Sequence, residues 1–235
     1  MNRKGSSRPG QLEFLSSTPL LDGIKEPNLE RLANASRFVN ITKGDFLFYQ
    51  HDQADSLYIL HTGEIAVVLT SIDGREMIIN EIHPGDCFGE VSLLTSGART
   101  ASAQAREDSV ALEVAGNVFL SVLDTEPAMS RRMLDIATNR LFKAHLRESA
   151  LAFLDAPARV ARALLEMDEM DRMGPDKGYV TMSQEELAQR TGLARQTVAQ
   201  SLGQWRRLGW ILTGRGRIML LNRAALEQIQ QQENS

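Results

Sequence analysis

The sequence predicts an α+β chain in three parts: a β-roll over residues 1–126, a long helix over 127–154, and a helix-turn-helix with a hairpin wing over 155–235. Three observations carry this. Five short β-rich runs lie between residues 44 and 114, separated by glycine-containing turns. Residues 127–154 keep a helical pattern without a break. Near the C-terminus a capped helix, a glycine turn and a basic polar helix precede two short strands.

The first dozen residues, basic but without an apolar run behind them, read as a flexible arm rather than a secretory signal. Residues 20–38 carry apolar side chains near helical spacing, with Pro19 and Pro27 as punctuation. The β-rich runs that follow (DFLFY, SLYIL, EIAVVL, EMIINEI, SVALEV) are spaced as in a small barrel or sandwich, with turns at Gly44, Gly63, Gly74, Gly85 and Gly97. Ser71-Ile72-Asp73-Gly74 reads as a hairpin turn, because Asp-Gly tolerates the positive φ that such turns need.

Beyond Pro127 two apolar stripes run along one helix: Leu134, Ala137, Leu141, Ala144 and Leu151, and then Phe142, Leu146, Ser149 and Phe153. Two stripes call for two partners, the chain's own β domain and a second copy of the helix, so this is read as a dimerisation helix. Glu148 interrupts the first stripe. Asp155 and Pro157 then mark the start of another helix, expected to run to about Met167, and residues 168–178 read as a loop.

Charge divides the chain. The 235 residues carry a net charge of −4, but residues 1–186 hold 19 Lys/Arg against 28 Asp/Glu, while residues 187–235 hold seven against two. Residues 187–226 contain no acid at all, and the seven arginines Arg190, Arg195, Arg206, Arg207, Arg215, Arg217 and Arg223 all fall there. An acidic body with a basic end points to a nucleic-acid surface. With one cysteine, Cys87, the chain forms no internal disulfide and no all-cysteine cluster site. No apolar run reaches the roughly 20 residues needed to cross a bilayer, so a cytoplasmic protein with no membrane partner is expected. Four histidines and scattered carboxylates show no nucleophile elbow, phosphate-binding loop or metal-ligand spacing; no catalytic residues and no metal are expected.

The basic end has the order of a DNA reader. Ser183 and Glu186 form a capping box, Gly192 makes the turn, and a second helix runs from about Ala194 to Leu208. Its first residues would face base edges in a major groove. Arg195 suits guanine, Gln196 or Gln200 suits adenine, Ser183, Thr197 and the wing-tip Arg215 and Arg217 are placed to hold phosphates, and Gln184 is a further candidate DNA contact.

Three marks in order resemble the bacterial family of catabolite-activator and FNR-type (CRP/FNR) transcription regulators. They are Gly85-Asp86-Cys87-Phe88-Gly89-Glu90-Val91-Ser92-Leu93-Leu94 followed by Arg99-Thr100-Ala101, then Leu151-Ala152-Phe153-Leu154-Asp155, then the winged helix-turn-helix. The resemblance covers nearly the whole chain. It implies a cyclic-nucleotide-binding-like jelly roll, a homodimer and double-stranded DNA as partner, with RNA polymerase a further partner and its contact surface on residues 171–178.

The segment 89–101 is similar to the phosphate-binding cassette of cyclic-nucleotide domains and implies cAMP or cGMP as effector. A cyclic phosphodiester needs one cation and several amides; Arg99 offers the guanidinium and the turn into residues 91–94 the amides. Glu90 suits a ribose 2′-hydroxyl. Gly89, Val91, Ser92, Thr100 and Ala101 complete the cassette. Arg-Thr is similar to the pattern of cyclic-GMP-preferring domains, where bacterial cyclic-AMP receptors commonly show Arg-Ser. Counting back from Leu151, Ala144 and His145 fall where the cyclic-AMP receptor offers two hydroxyls to adenine, so purine recognition differs. His51 replaces a usual Gly, Gln196 a usual Glu and Gln200 a usual Arg. A cyclic dinucleotide, haem or no ligand at all are the competing signals for the same fold.

Overall fold

Period-two alternation closes the first half of the chain into two facing sheets. The computed structural model describes residues 8–95, 97–171 and 179–231. Its β-roll strands are β1 (Ser36–Ile41), β2 (Phe46–Phe48), β3 (Ser56–Thr62), β4 (Ile65–Thr70), β5 (Glu76–Ile82), β6 (Cys87–Phe88), β7 (Ser102–Ala105) and β8 (Ser109–Ala115). They form two four-stranded sheets in the orders β1-β8-β3-β6 and β2-β7-β4-β5, so neighbours in sequence mostly sit in opposite sheets, as in a jelly roll. The registers centre on β3 and β8, with Leu57 opposite Val114 and Ile59 opposite Leu112.

β3 shows why its sequence is apolar throughout. Leu57 and Ile59 enter a core shared with helices, whereas Tyr58 and Leu60 enter the space between the sheets. The helical core is built from α1 (Arg8–Ser17), a 3₁₀ turn at Pro19–Leu21, α2 (Glu26–Asn34), α4 (Gly116–Thr125) and the first half of α5 (Pro127–Phe153). The intersheet core contains Ile41, Ile65, Ile82, Phe88 and the alanines of β7 and β8.

Two compact units emerge. One comprises residues up to Thr70 together with Ile79–Leu141; the other comprises Ser71–Ile78 and residues from Phe142 onward. In the second, α6 (Ala156–Asp171), α7 (Gln184–Thr191), α8 (Arg195–Arg207), the hairpin β9 (Ile211–Gly214) and β10 (Arg217–Leu220), and α9 (Arg223–Gln230) pack around Trp205, Leu164, Leu187 and Ile211. Asp155 Oδ1 caps α6 by accepting from the Ala158 amide at 2.8 Å, as its position before Pro157 suggests.

Several expectations are corrected. The arm ends earlier than expected: residues 8–12 already belong to α1, because Gln11 is buried and donates to the Ser36 carbonyl at 2.9 Å while Leu15 fills the core. Residues 1–7 lie outside the described residues. The helical pattern of 20–38 stops at Asn34, and Ser36–Phe38 pair with β8. Neither predicted stripe of α5 covers the β domain; Met129, Met133 and Ile136 do, while Leu134 and Phe142 are 65% and 62% exposed. α6 continues to Asp171, past the expected end, and residues 172–178 of the expected loop lie outside the described residues. His51, expected in place of a glycine, adopts a left-handed turn at φ 74°.

Candidate ligand pocket and nucleic-acid interface

The turn from β6 into α3 (Glu90–Thr95) gathers the cassette. Gly89 sits there at φ 79°, and a Cβ on it would lie 2.6 Å from Arg99 Nη1. Glycine therefore serves both the turn and the close approach of the guanidinium. Arg99 is only 3% exposed. Its Nη1 donates to the Gly89 carbonyl at 2.9 Å, and its Cζ lies 4.1 Å from the Phe48 ring centroid and 5.5 Å from that of Tyr58. Arg99 Nε is buried without a hydrogen-bond partner. Among the described residues no carboxylate comes within 4 Å of this guanidinium. Burial pulls Arg99 below the ordinary arginine range, opposed by Tyr58 and Asp55.

Glu90 is 4% exposed. Arg140, from the stripe of α5 that faces the β-roll, binds Glu90 Oε1 and also donates to the Cys87 carbonyl. Glu90 Oε2 is left buried and without a partner. Burial raises the Glu90 carboxyl above its usual range, and Arg140 pulls it back. Cys87, beneath this pair, is pushed up to about 12 by burial and remains a thiol. Around these two side chains Ser92 and Ala101 are buried, and Val91 and Thr100 are exposed at the rim. First-turn amides of α3 have no acceptor within their own helix. A buried cation and an orphan carboxylate oxygen at the start of α3 fit a ligand with a single negative phosphate next to a hydroxyl donor.

Arg140 escaped the sequence reading. The sequence held no signal for it, because the buried face of α5 is set by the structure, which places Arg140 one turn beyond Met133 and Ile136 on that face. The predicted Ala144 and His145 lie on α5 within the second compact unit, whereas the cassette belongs to the first.

The basic end folds as a helix-turn-helix with its wing. Ser183 caps α7, accepting from the Glu186 amide at 3.1 Å, which leaves its hydroxyl hydrogen free to donate. Gly192 ends the helix at φ 65°. Val198, Leu202 and Trp205 bury one face of α8, and Arg195, Gln196 and Gln200 stand exposed on it, with Thr197 half-buried. Gln184 is exposed at the start of α7, and Arg215 and Arg217 are exposed at the wing tip. Among the described residues no carboxylate comes within 4 Å of Arg206, Arg207, Arg215 or Arg217. Arg195 has only a loose surface pairing, 3.9 Å from Glu185. Two of the seven arginines are structural instead: Arg223 binds Asp168, Glu169 and Glu227, and Arg190 lies 3.4 Å from Glu186.

Two family models match this chain. Residues 38–126 match the family model of the cyclic nucleotide-binding domain, and residues 158–229 match that of the Crp-like helix-turn-helix domain. A CRP-like cAMP-activated global transcriptional regulator from Mycobacterium tuberculosis is 30% identical over 204 residues, 85% of this chain and 90% of that protein. The cyclic AMP receptor protein of Thermus thermophilus is 29% identical over 215 residues, 92% and 98% of the two chains. The solved structure of the c-di-GMP-responsive global regulator CLP from Xanthomonas campestris shares the fold, with a TM-score of 0.73 and 22% identity over 83% of this chain and 99% of that one.

Proposed function

The chain belongs to the CRP/FNR family of transcription regulators, and from that premise we propose that it is a homodimeric, sequence-specific regulator whose DNA binding is set by a cyclic mononucleotide, cAMP or cGMP, held in the β-roll. One observation carries the reading. Arg99 is a buried guanidinium with no carboxylate partner and an orphan Nε, standing beside a carboxylate with one orphan oxygen. Such a pair is costly to keep unless a ligand completes it.

In this reading Arg99 and the α3 amides hold the cyclic phosphate, Glu90 Oε2 accepts the ribose 2′-hydroxyl, and Arg140 keeps Glu90 ionised and aimed. Gly89, Val91, Ser92, Thr100 and Ala101 shape the cassette, and Ala144 and His145 take the purine end. The exposed Leu134, Leu141, Phe142, Leu146 and Phe153 on α5 support a second copy of the helix as dimer partner. Arg195, Gln196 and Gln200 would read bases; Ser183, Gln184, Thr197, Arg215 and Arg217 would hold phosphates. Residues 1–126 sense, 127–154 pair, and 155–235 bind DNA; RNA polymerase is the further partner, and the cytoplasm the setting. Among the described residues no helix is long and apolar enough to cross a membrane.

Ligand and DNA are coupled only by the difference in nucleotide affinity between the two dimer arrangements. Isothermal titration with cAMP, cGMP and cyclic di-GMP, wild type against Arg99→Ala, tests the pocket. Operator binding by fluorescence anisotropy at fixed salt, with and without nucleotide, tests the switch. Saturable binding of one mononucleotide that Arg99→Ala abolishes, with tighter DNA binding in its presence, is expected. Binding of cyclic di-GMP alone, haem colour in the purified protein, or equal DNA affinity with and without nucleotide would overturn it.

A further inference from the structure

A second cluster of cations lies in the second compact unit, apart from the exposed face of α8. Arg147 of α5, Arg159 and Arg162 of α6 and Arg190 of α7 line one cavity of about 80 Å³, with Glu166 at its edge. Four guanidinium groups around one small cavity are an unusual grouping, because like charges at close range repel unless something between them compensates.

Two of the four are compensated. Arg162 Nε lies 2.7 Å from Glu166, and Arg190 Nη2 lies 3.4 Å from Glu186. The other two are not: among the described residues no carboxylate comes within 4 Å of Arg147 or Arg159. Among the described residues Arg159 Nη1 makes one long contact, 3.4 Å, to the Thr191 carbonyl, and its Nε is buried with no acceptor. Burial lowers Arg147 from its ordinary range, and Glu148 offsets this in part without forming an ion pair. The cavity therefore holds two positive charges and at least one buried donor without an acceptor.

We propose that this cavity is a binding site for a phosphoryl dianion, either inorganic phosphate or the terminal group of a phosphate monoester. Phosphate monoesters carry close to two negative charges at neutral pH, matching the two unpaired arginines. A tetrahedral group offers oxygens to several planar forks at once, which a carboxylate does not. The volume suits a phosphoryl group, so a monoester would insert its phosphoryl end and leave the remainder toward the open side. Its binding ties the end of α5 to α6 and α7, across residues 153–155. The site thus supplies a second, independent chemical input at the base of the DNA-reading helices.

The test uses the full-length protein, titrated calorimetrically with inorganic phosphate, glycerol 3-phosphate and AMP at constant ionic strength in chloride buffer. One saturable site per chain is expected, for phosphate or for a monoester. Arg147→Ala and Arg159→Ala should each weaken it at least about tenfold, the size of a lost charge-assisted hydrogen bond. Arg99→Ala should leave it unchanged, which separates this site from the β-roll pocket. Tighter binding of a monoester than of phosphate assigns the site to a phosphorylated metabolite; the reverse assigns it to free phosphate. If Arg159→Ala fails to fold, Arg147→Ala on half-exposed α5 and Arg159→Lys decide, the latter keeping charge but losing the fork. No saturable binding to any of the three probes, unchanged affinity in the Arg147 and Arg159 variants, or loss in Arg99→Ala would overturn the proposal.

Discussion

Replacing Arg140 with alanine removes the one ion pair made, among the described residues, by a carboxylate that is almost fully buried. Glu90 Oε1 loses its ion pair, and Oε2 already has no partner. The folded protein then has one escape, which is to protonate Glu90. The cost of that escape is the free energy of neutralising a carboxyl with an unfolded-chain pKa of about 4.3, about 1.4 kcal/mol for every pH unit above it. The ceiling is therefore about 4 kcal/mol at pH 7 and about 1 kcal/mol at pH 5. The upper figure falls within the range of about 3–5 kcal/mol for breaking a buried pair. The direction follows from the burial that raises Glu90 in the folded state. A raised carboxyl contributes its stability below the unfolded pKa and loses it as pH rises toward the folded one. The assay is urea unfolding of wild type and Arg140→Ala at pH 5 and pH 7. It should be followed by circular dichroism, since both tryptophans, Trp205 and Trp210, lie in the second unit. The variant should be clearly weaker at pH 7 and nearly wild-type at pH 5, and Glu90→Gln should rescue it in the double variant. A loss of equal size at both pH values, or no rescue, would show that Arg140 does not act through Glu90.

Three further outcomes are expected. If Glu90 accepts the ribose hydroxyl as proposed, nucleotide affinity should fall as pH drops, beginning above the ordinary carboxylate range, because burial raises the Glu90 pKa; titrations from pH 7.5 to 5 should show this in wild type and a flat profile in Glu90→Gln. His51→Gly should stabilise the β-roll by about 0.5–1 kcal/mol, since relief of about 1–2 kcal/mol of left-handed strain exceeds the extra chain entropy of glycine; a lower urea midpoint would refute it. Trp205→Ala should cost the second unit about 3–5 kcal/mol and abolish DNA binding while nucleotide binding persists, checked by anisotropy and calorimetry on one preparation; joint loss of both activities would contradict independent cores.

The sequence by itself determined what depends on local order. Glycine turns, the Asp-Gly hairpin, the Ser183 cap, the Gly192 turn, the Asp155 cap and the unbroken α5 all follow from nearest neighbours in the chain, and the structure has them where the residues put them. The proposed cassette is equally local, because Gly89, Glu90 and Arg99 lie within eleven residues.

What the tertiary structure decided depends on partners far away in sequence. β7 is a strand of Ser-Ala-Gln-Ala, a composition with little β preference, and it forms because β2 and β4 flank it on both sides. Ser36–Phe38 become strand for the same reason, through β8. Which face of α5 is buried could not be read from two similar apolar stripes; contact with the helical core selects Met129, Met133 and Ile136. Charge counting marked seven arginines alike, yet three acids brought in by α6 and α9 turn Arg223 into a structural clasp, while Arg215 and Arg217 stay exposed at the wing tip. The pairing of Arg140 with Glu90, fifty residues apart, and the gathering of Arg147, Arg159, Arg162 and Arg190 around one cavity belong to the same class. Local propensity acts within a few residues, whereas the energy of a buried charge is set by whatever the fold places beside it.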